Sequence, residues 1–399
     1  MWAGFAVSSV DLTFRQIQAS TSVFQFELVR IFRRAAPGIF VLAVLCGASG
    51  QVSPTDSADL MTQAADARMQ NDLPKAISLY SEVVERNPTS SDAWWFLGSL
   101  RYATGEYGPA RDALSHYLEL TPKAGPALAL RGLCEFETGQ YLEASQDIRS
   151  GIALGAANDP RNEQILRYHE ALALTRAGNY DQALKAYAYF AKNDIRNPEL
   201  MVAIGLAGLH RPLLPQDVPP EDNDLLSDTG HAAFTFLAGD EGSAAQAFQA
   251  LFRRFPHASY THFLYGYLLY ATDPDSALPE FREELAVSPS NVDAGVMTGW
   301  ALLMENRPAE ALPYAQMAVA KNPGNPSAQL VLGRSLMDSG DLTAGVDHLK
   351  KLLEMDPNNL EAHIALAKAY SKSGHKDEAR RERMLCLQLN NDRAASANP

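Results

Sequence analysis

Nine histidines, three cysteines and 47 carboxylates are the groups in this chain that could do acid–base, nucleophilic or metal chemistry. Their spacing does not assemble a site. His257 and His262 are five apart, off a shared helix face, and His363 and His375 flank a turn. Each reads as a surface or packing histidine. Cys46, Cys134 and Cys386 form no C-x-x-C, no zinc-ligand spacing and no disulfide framework. The pair Glu283-Glu284 reads as a solvated helix face. No phosphate-cradling G-x-x-x-x-G-K-[ST], no G-x-G-x-x-G turn, no H-E-x-x-H and no G-x-S-x-G is present. The expectation is a protein with no catalytic residues, no metal and no cofactor. An enzyme built from scattered residues is the weaker alternative.

The other group with chemistry to offer is aromatic. Phe263, Tyr267 and Tyr270 follow each other at spacings of four and three, so one helix would carry all three rings on one face. Such rings add contact area at little entropic cost, and tyrosine keeps a polar tip. That suits a peptide or protein surface.

Composition sets the class. The chain has 399 residues, 46% of them hydrophobic, enough apolar content to bury a core. With 34 basic and 47 acidic residues the net charge is −13, the wrong sign for phosphate neutralisation. No nucleic acid is therefore expected as a partner, and an anionic membrane surface is disfavoured.

Near the N-terminus, Arg30, Arg33 and Arg34 precede the short apolar run 35–50, which ends in small residues. A basic stretch, a short apolar stretch and small residues make an export signal over about 29–50. The run is shorter than the roughly 20 residues that span a bilayer, so no stable membrane insertion is expected after its removal. Leu45 before Cys46 is too bulky for a lipoprotein signal. The basic stretch begins late, and Val29 is an alternative start. The expected location is periplasmic or extracellular, or cytoplasmic if the signal is false.

The chain repeats itself. Pro88 and Pro122 are 34 apart, as are Pro289, Pro323 and Pro357 in succession. Ala76, Ala110, Ala277, Ala311 and Gly345 each stand twelve residues before one of these prolines, as Ala244 does before Pro256. Further upstream come Ala64, Gly98, Gly132, Ala171, Gly266, Gly299, Gly333 and Ala367. Between the two small sites lies a turn such as Thr104-Gly105 or Ser339-Gly340. Each unit reads as two antiparallel helices meeting at small residues, with a turn glycine ending the first and a proline ending the second. No unit can bury its face alone, so stacking is required.

This pattern resembles the tetratricopeptide repeat (TPR) family. Trp94, Leu97, Gly98, Ala110 and Pro122 carry it in one unit, Leu332, Gly333, Leu349 and Pro357 in another. Leu366, Ala367, Tyr370 and Ala379 carry it in the last. The resemblance covers roughly 57–393 and implies an all-α solenoid of eight to nine helix pairs wound as a right-handed superhelix. Residues 51–197 and 225–393 are the two arrays, and 394–399 a disordered tail. Between them, 198–224 reads as one unpaired helix from Pro198 to Leu209 and then an extended Pro-rich acidic loop. That loop is either a linker or a strap over the groove. Other departures are Gly345 in place of alanine, a unit at 128–156 without its closing proline, and an insertion at 155–160.

In this family the offset face of each first helix lines the concave groove. Carried onto this sequence, that face holds Trp95, Tyr102, Phe136, Phe236, Tyr260, Phe263, Tyr267, Tyr270 and Trp300. Thr229 and Ala233 join it beside Phe236, and Arg334 and Lys368 add charge near the C-terminal end. The same rings are also placed to pack between repeats. The expected function is a non-enzymatic scaffold, exported, binding a protein or peptide. A cytoplasmic regulatory adaptor and an accessory protein handling carbohydrate or lipid are the alternatives.

Overall fold

The computed structural model describes residues 54–397; the export stretch assigned to 29–50 lies outside them. These residues form 19 α-helices and two 3-10 turns, with no strand among them. The chain divides after Tyr189 into two blocks.

In the first block, α1 (Pro54–Met69) pairs with α2 (Leu73–Arg86), α3 (Ser91–Ala103) with α4 (Tyr107–Leu120), and α5 (Gly125–Glu137) with α6 (Tyr141–Ala153). Then α7 (Pro160–Arg176) leads through a turn at Gly178 to α8 (Tyr180–Lys192), which ends past the divide. The second block opens with α9 (Pro198–Gly208). It continues as five pairs: α10 (Asn223–Leu237) with α11 (Glu241–Arg254), α12 (Thr261–Tyr270) with α13 (Pro274–Val287), α14 (Val292–Met304) with α15 (Pro308–Lys321), α16 (Pro326–Asp338) with α17 (Leu342–Met355), and α18 (Leu360–Lys372) with α19 (Lys376–Ala397).

Local chemistry explains the punctuation. Asn87, Thr121, Ser288, Asn322 and Asp356 each precede a repeat proline and sit near φ −128 to −140, outside the helical region. Proline forces its predecessor into extended backbone, so the second helix stops one residue earlier. The first helix ends in a left-handed residue: Gly105 at φ 79, or Asn71 and Asn306 at φ 62 and 58 where the repeat lacks glycine. Side-chain caps recur as well. Asn291, Asn325 and Asn359 accept the backbone N–H groups of Ala294, Ala328 and Ala362. Each such cap contributes about 1 kcal/mol.

Within a pair the small residues set the approach. A Cβ on Gly98 would lie 2.7 Å from Leu114 Cγ, and one on Gly333 2.9 Å from Leu349 Cγ. Leu97, Leu114, Ile148, Phe248, Phe281 and Leu349 are fully or almost fully buried between helices.

The middle segment departs from expectation. Helix α9 is not unpaired: it lies against α10 closely enough that a Cβ on Gly205 would fall 2.0 Å from the Leu226 carbonyl oxygen. A Cβ on Gly230 would fall 1.8 Å from that of Met201. Two glycines 25 residues apart leave no periodic mark, so the sequence pattern missed the contact. The following stretch is not simply extended. It folds into 3-10 turns at Pro215–Asp217 and Pro220–Asp222. Arg211 pairs with Asp222 at 2.7 Å, Leu214 is buried, and Leu213 and Val218 pack on Leu206, Leu209 and Leu226.

Candidate functional site

In the first block the expected face carries rings that mostly contact other rings. Trp95 on α3 lies tilted against Tyr117 on α4, with centroids 5.6 Å apart. Tyr102 meets Tyr107 edge-on at 5.5 Å, and burial pushes its hydroxyl well above the ordinary tyrosine range. Phe136 is only 9% exposed and lies edge-on to Tyr141 at 5.5 Å and His169 at 5.1 Å. Burial lowers the basicity of His169, whose Nδ1–H donates to the Ile165 carbonyl at 2.8 Å.

Beside these rings is a charged cluster that spacing did not reveal. Arg131 on α5 donates to Asp147 on α6, Nη2 to Oδ1 at 3.0 Å. Glu135, one turn further along α5, sits 3.8 Å from the same guanidinium. Burial first, then repulsion from Asp147, push the Glu135 carboxyl up to about 7, with Arg131 opposing the rise. Its Oε2 has no hydrogen-bond partner among the described residues.

The second block holds the more complete arrangement. Helix α12 begins at Tyr260, a left-handed residue at φ 70 whose own side chain does not cap the helix. Glu284 of α13 does so instead. Its Oε1 accepts from the Tyr260 N–H at 2.7 Å and from Asn291 Nδ2 at 3.0 Å, and its Oε2 accepts from the Phe263 N–H at 3.2 Å. Glu284 is therefore completely buried, not the solvated carboxylate that its position beside Glu283 suggested. A carboxylate at a helix N-terminus also complements the helix dipole.

The Tyr260 side chain is fixed by the next repeat. Its hydroxyl donates to Asp293 Oδ2 at 3.0 Å, and the same oxygen accepts from His210 Nδ1–H at 3.1 Å. The His210 ring lies 4.5 Å from that of Tyr260 and 5.2 Å from Phe263. Burial raises the Asp293 carboxyl, but the His210 and Tyr260 contacts outweigh it and hold the group below its ordinary value.

From this anchor the face runs along the first helices of the later repeats. Phe263 is 6% exposed and packs on Phe281. Tyr267 and Tyr270 are half-buried, as is Trp300 on α14. The Arg334 guanidinium of α16 lies 5.0 Å over the Trp300 ring. Lys368 of α18 donates to Asp338 at 3.0 Å, and Ile364, one turn before it, is 47% exposed. Elsewhere on the expected face Thr229 and Ala233 are fully buried, and Phe236 is half-buried like Tyr267 and Tyr270.

Sequence models of the tetratricopeptide repeat match residues 67–134, 168–222, 267–326 and 336–382. The chain belongs to the tetratricopeptide repeat family. No curated protein sequence matches it. Among solved TPR structures, MamA of Desulfovibrio magneticus RS-1 aligns with TM-score 0.39 and 19% identity, covering 42% of this chain and 96% of that one. YrrB, described as a TPR protein with an unusual peptide-binding site, aligns at 0.38 and 20%, covering 43% and 90%. PilW, described as a type IV pilus biogenesis factor, aligns at 0.37 and 21%, covering 44% and 80%. The family assignment rests on the matched repeats and the helix pairs, not on these overlays.

The TPR face in the second block thus brings Tyr260, Phe263, Tyr267 and Tyr270 together on one helix, with Trp300 and Arg334 on the repeats that follow. Trp95, Tyr102 and Phe136 belong to the first block, where Phe136 is a core ring. His210, Glu284 and Asp293 were not found by motif. A histidine after a TPR-like helix and a glutamate inside α13 carry no spacing signal.

Proposed function

We propose that this TPR protein is a non-enzymatic scaffold that holds a segment of a protein or peptide partner on the first-helix face of its second block. The observation that carries the reading is the row Tyr267, Tyr270, Trp300 and Arg334. These side chains stay half-exposed while the neighbouring positions of the same face, Val296, Leu303, Leu330 and Met337, are buried. Half-exposed aromatic and arginine side chains are the types that dominate binding energy at protein interfaces. The Glu284 cap and the Asp293 anchor fix the start of α12, so the rings are pre-positioned and lose little freedom on binding.

A crosslinking pull-down with the mature chain tests this, comparing wild type with Tyr267→Ala and Tyr270→Ala. Loss of the captured partner with unchanged melting supports the face. Full capture by both variants refutes it.

Export is the second part of the proposal. It is supported by the basic, apolar and small-residue order of residues 30–50, and it predicts a mature chain starting near Ser49 or Gln51. Fractionation with N-terminal sequencing tests it. A soluble cytoplasmic pool still carrying residues 1–40 would favour the regulatory-adaptor reading.

A further inference from the structure

We infer that Arg334, held on Trp300, is the anion-reading position of the second block, and that the segment bound there carries an Asp or Glu side chain next to an apolar residue. The inference rests on the binding face proposed above and names the chemistry of its occupant.

Most arginines of the described residues with a nearby carboxylate use it. Arg131 pairs with Asp147, Arg149 with Glu170, Arg211 with Asp222, Arg254 with Asp224 and Asp228, and Arg307 with Glu305 and Glu310. Arg334 does not. Asp338 lies one turn further along α16, on the same side of the helix, but its Oδ1 accepts from Lys368 of α18 at 3.0 Å. Asp293, in the first turn of α14, is occupied by His210 and Tyr260. Glu361, at the position of Asp293 two repeats on, is exposed and makes no ion pair with Arg334. Arg334 thus has no carboxylate or hydrogen-bond acceptor among the described residues. It lies instead over the Trp300 ring, whose centroid is 5.0 Å from the guanidinium carbon.

Two consequences follow. The planar guanidinium stacks and keeps its edge N–H groups for a ligand, while the ring restricts its rotamers before binding. Those N–H groups form a fork that fits a carboxylate bidentately. A cation left without a carboxylate partner selects for a negative partner group. Tyr270 and Trp300 both pack on the core of the α14–α15 repeat, which places apolar ring surface next to that cation. The complementary segment pairs an acid with an aliphatic or aromatic neighbour.

The test uses the purified full chain as bait for random twelve-residue peptides displayed on phage with a blocked C-terminus. Selected peptides are expected to be enriched in Asp or Glu beside an apolar residue. A synthetic peptide from the best clone should lose about tenfold or more in affinity when its acid is changed to the amide, as expected for a charge-assisted bidentate contact. Against Arg334→Gln the acid and amide peptides should bind equally well, and Arg334→Lys should restore only part of the difference. The comparison of the two peptides on wild-type protein needs no protein variant, so a folding defect cannot imitate the result. Peptides selected without acid enrichment overturn the inference and leave the peptide-binding face standing. So does an acid-to-amide loss of the same size on Arg334→Gln. Recovery of no peptide at all removes both the inference and the face on which it rests.

Discussion

His210 and Tyr260 are both left-handed residues, at φ 53 and 70, and their rings lie 4.5 Å apart with Asp293 Oδ2 accepting from both. Two costly backbone conformations are thus tied together by one carboxylate. The lock joins the end of α9 to the start of α12 and to the first turn of α14.

The first prediction is its pH dependence. Asp293 titrates below its ordinary 3.8 in the fold. Its contribution to stability is therefore complete above the unfolded value and drains as pH falls through the lower folded value. Asp293→Asn should be less stable than wild type at pH 6, and the gap should close towards pH 2. Urea midpoints of the two proteins across that range measure it.

Glu135 should behave in the opposite sense. Its carboxyl is raised from 4.5 to about 7, so the folded state holds the proton more tightly than the unfolded one. Its contribution is most favourable below the unfolded value, declines as pH rises from about 4.5 to about 7, and is flat above. Glu135→Gln should therefore gain stability relative to wild type across that window, while Arg131 keeps Asp147. Melting curves between pH 5 and 8 measure the gain; a constant difference would contradict the assignment.

Glycine substitutions should separate three classes of contact. At Gly230 a Cβ meets the Met201 carbonyl oxygen at 1.8 Å, and backbone cannot step aside. Gly230→Ala should cost more than about 3 kcal/mol, beyond ordinary overpacking. At Gly98 the obstacle is the Leu114 side chain, so Gly98→Ala should cost about 1 kcal/mol. At Gly108 nothing lies within 4 Å, and Gly108→Ala should be neutral or stabilise by up to about 1 kcal/mol. Chemical denaturation of the three variants gives the order directly.

The aromatic face should split by burial. Phe263, packed on Phe281, should lose about 3–5 kcal/mol of stability on truncation to alanine. Tyr267→Ala and Tyr270→Ala should cost less stability and about 1–3 kcal/mol of partner binding. Affinity and melting measured on the same variants distinguish the two. Equal stability losses at all three positions would make the tyrosines core residues.

The sequence alone determined the repeat. Gly98, Ala110 and Pro122, with their counterparts at Gly333, Gly345 and Pro357, act within one helix pair, and their constraints recur every 34 residues. Small residues where helices cross, left-handed turn residues and helix-stopping prolines are short-range demands, so they leave a periodic trace. Even the line of rings from Phe263 to Tyr270 follows from helix geometry. Only the tertiary structure decided what those rings touch. Phe136 and Phe263 entered the core, Tyr267, Tyr270 and Trp300 stayed half-exposed, and Arg334 settled on Trp300. The tertiary structure also decided that Glu284 is a buried cap, that α9 packs on α10, and that His210 meets Asp293, 83 residues away in the chain. These outcomes depend on contacts between residues with no fixed spacing, and burial and hydrogen-bond partners exist only once the helices are stacked.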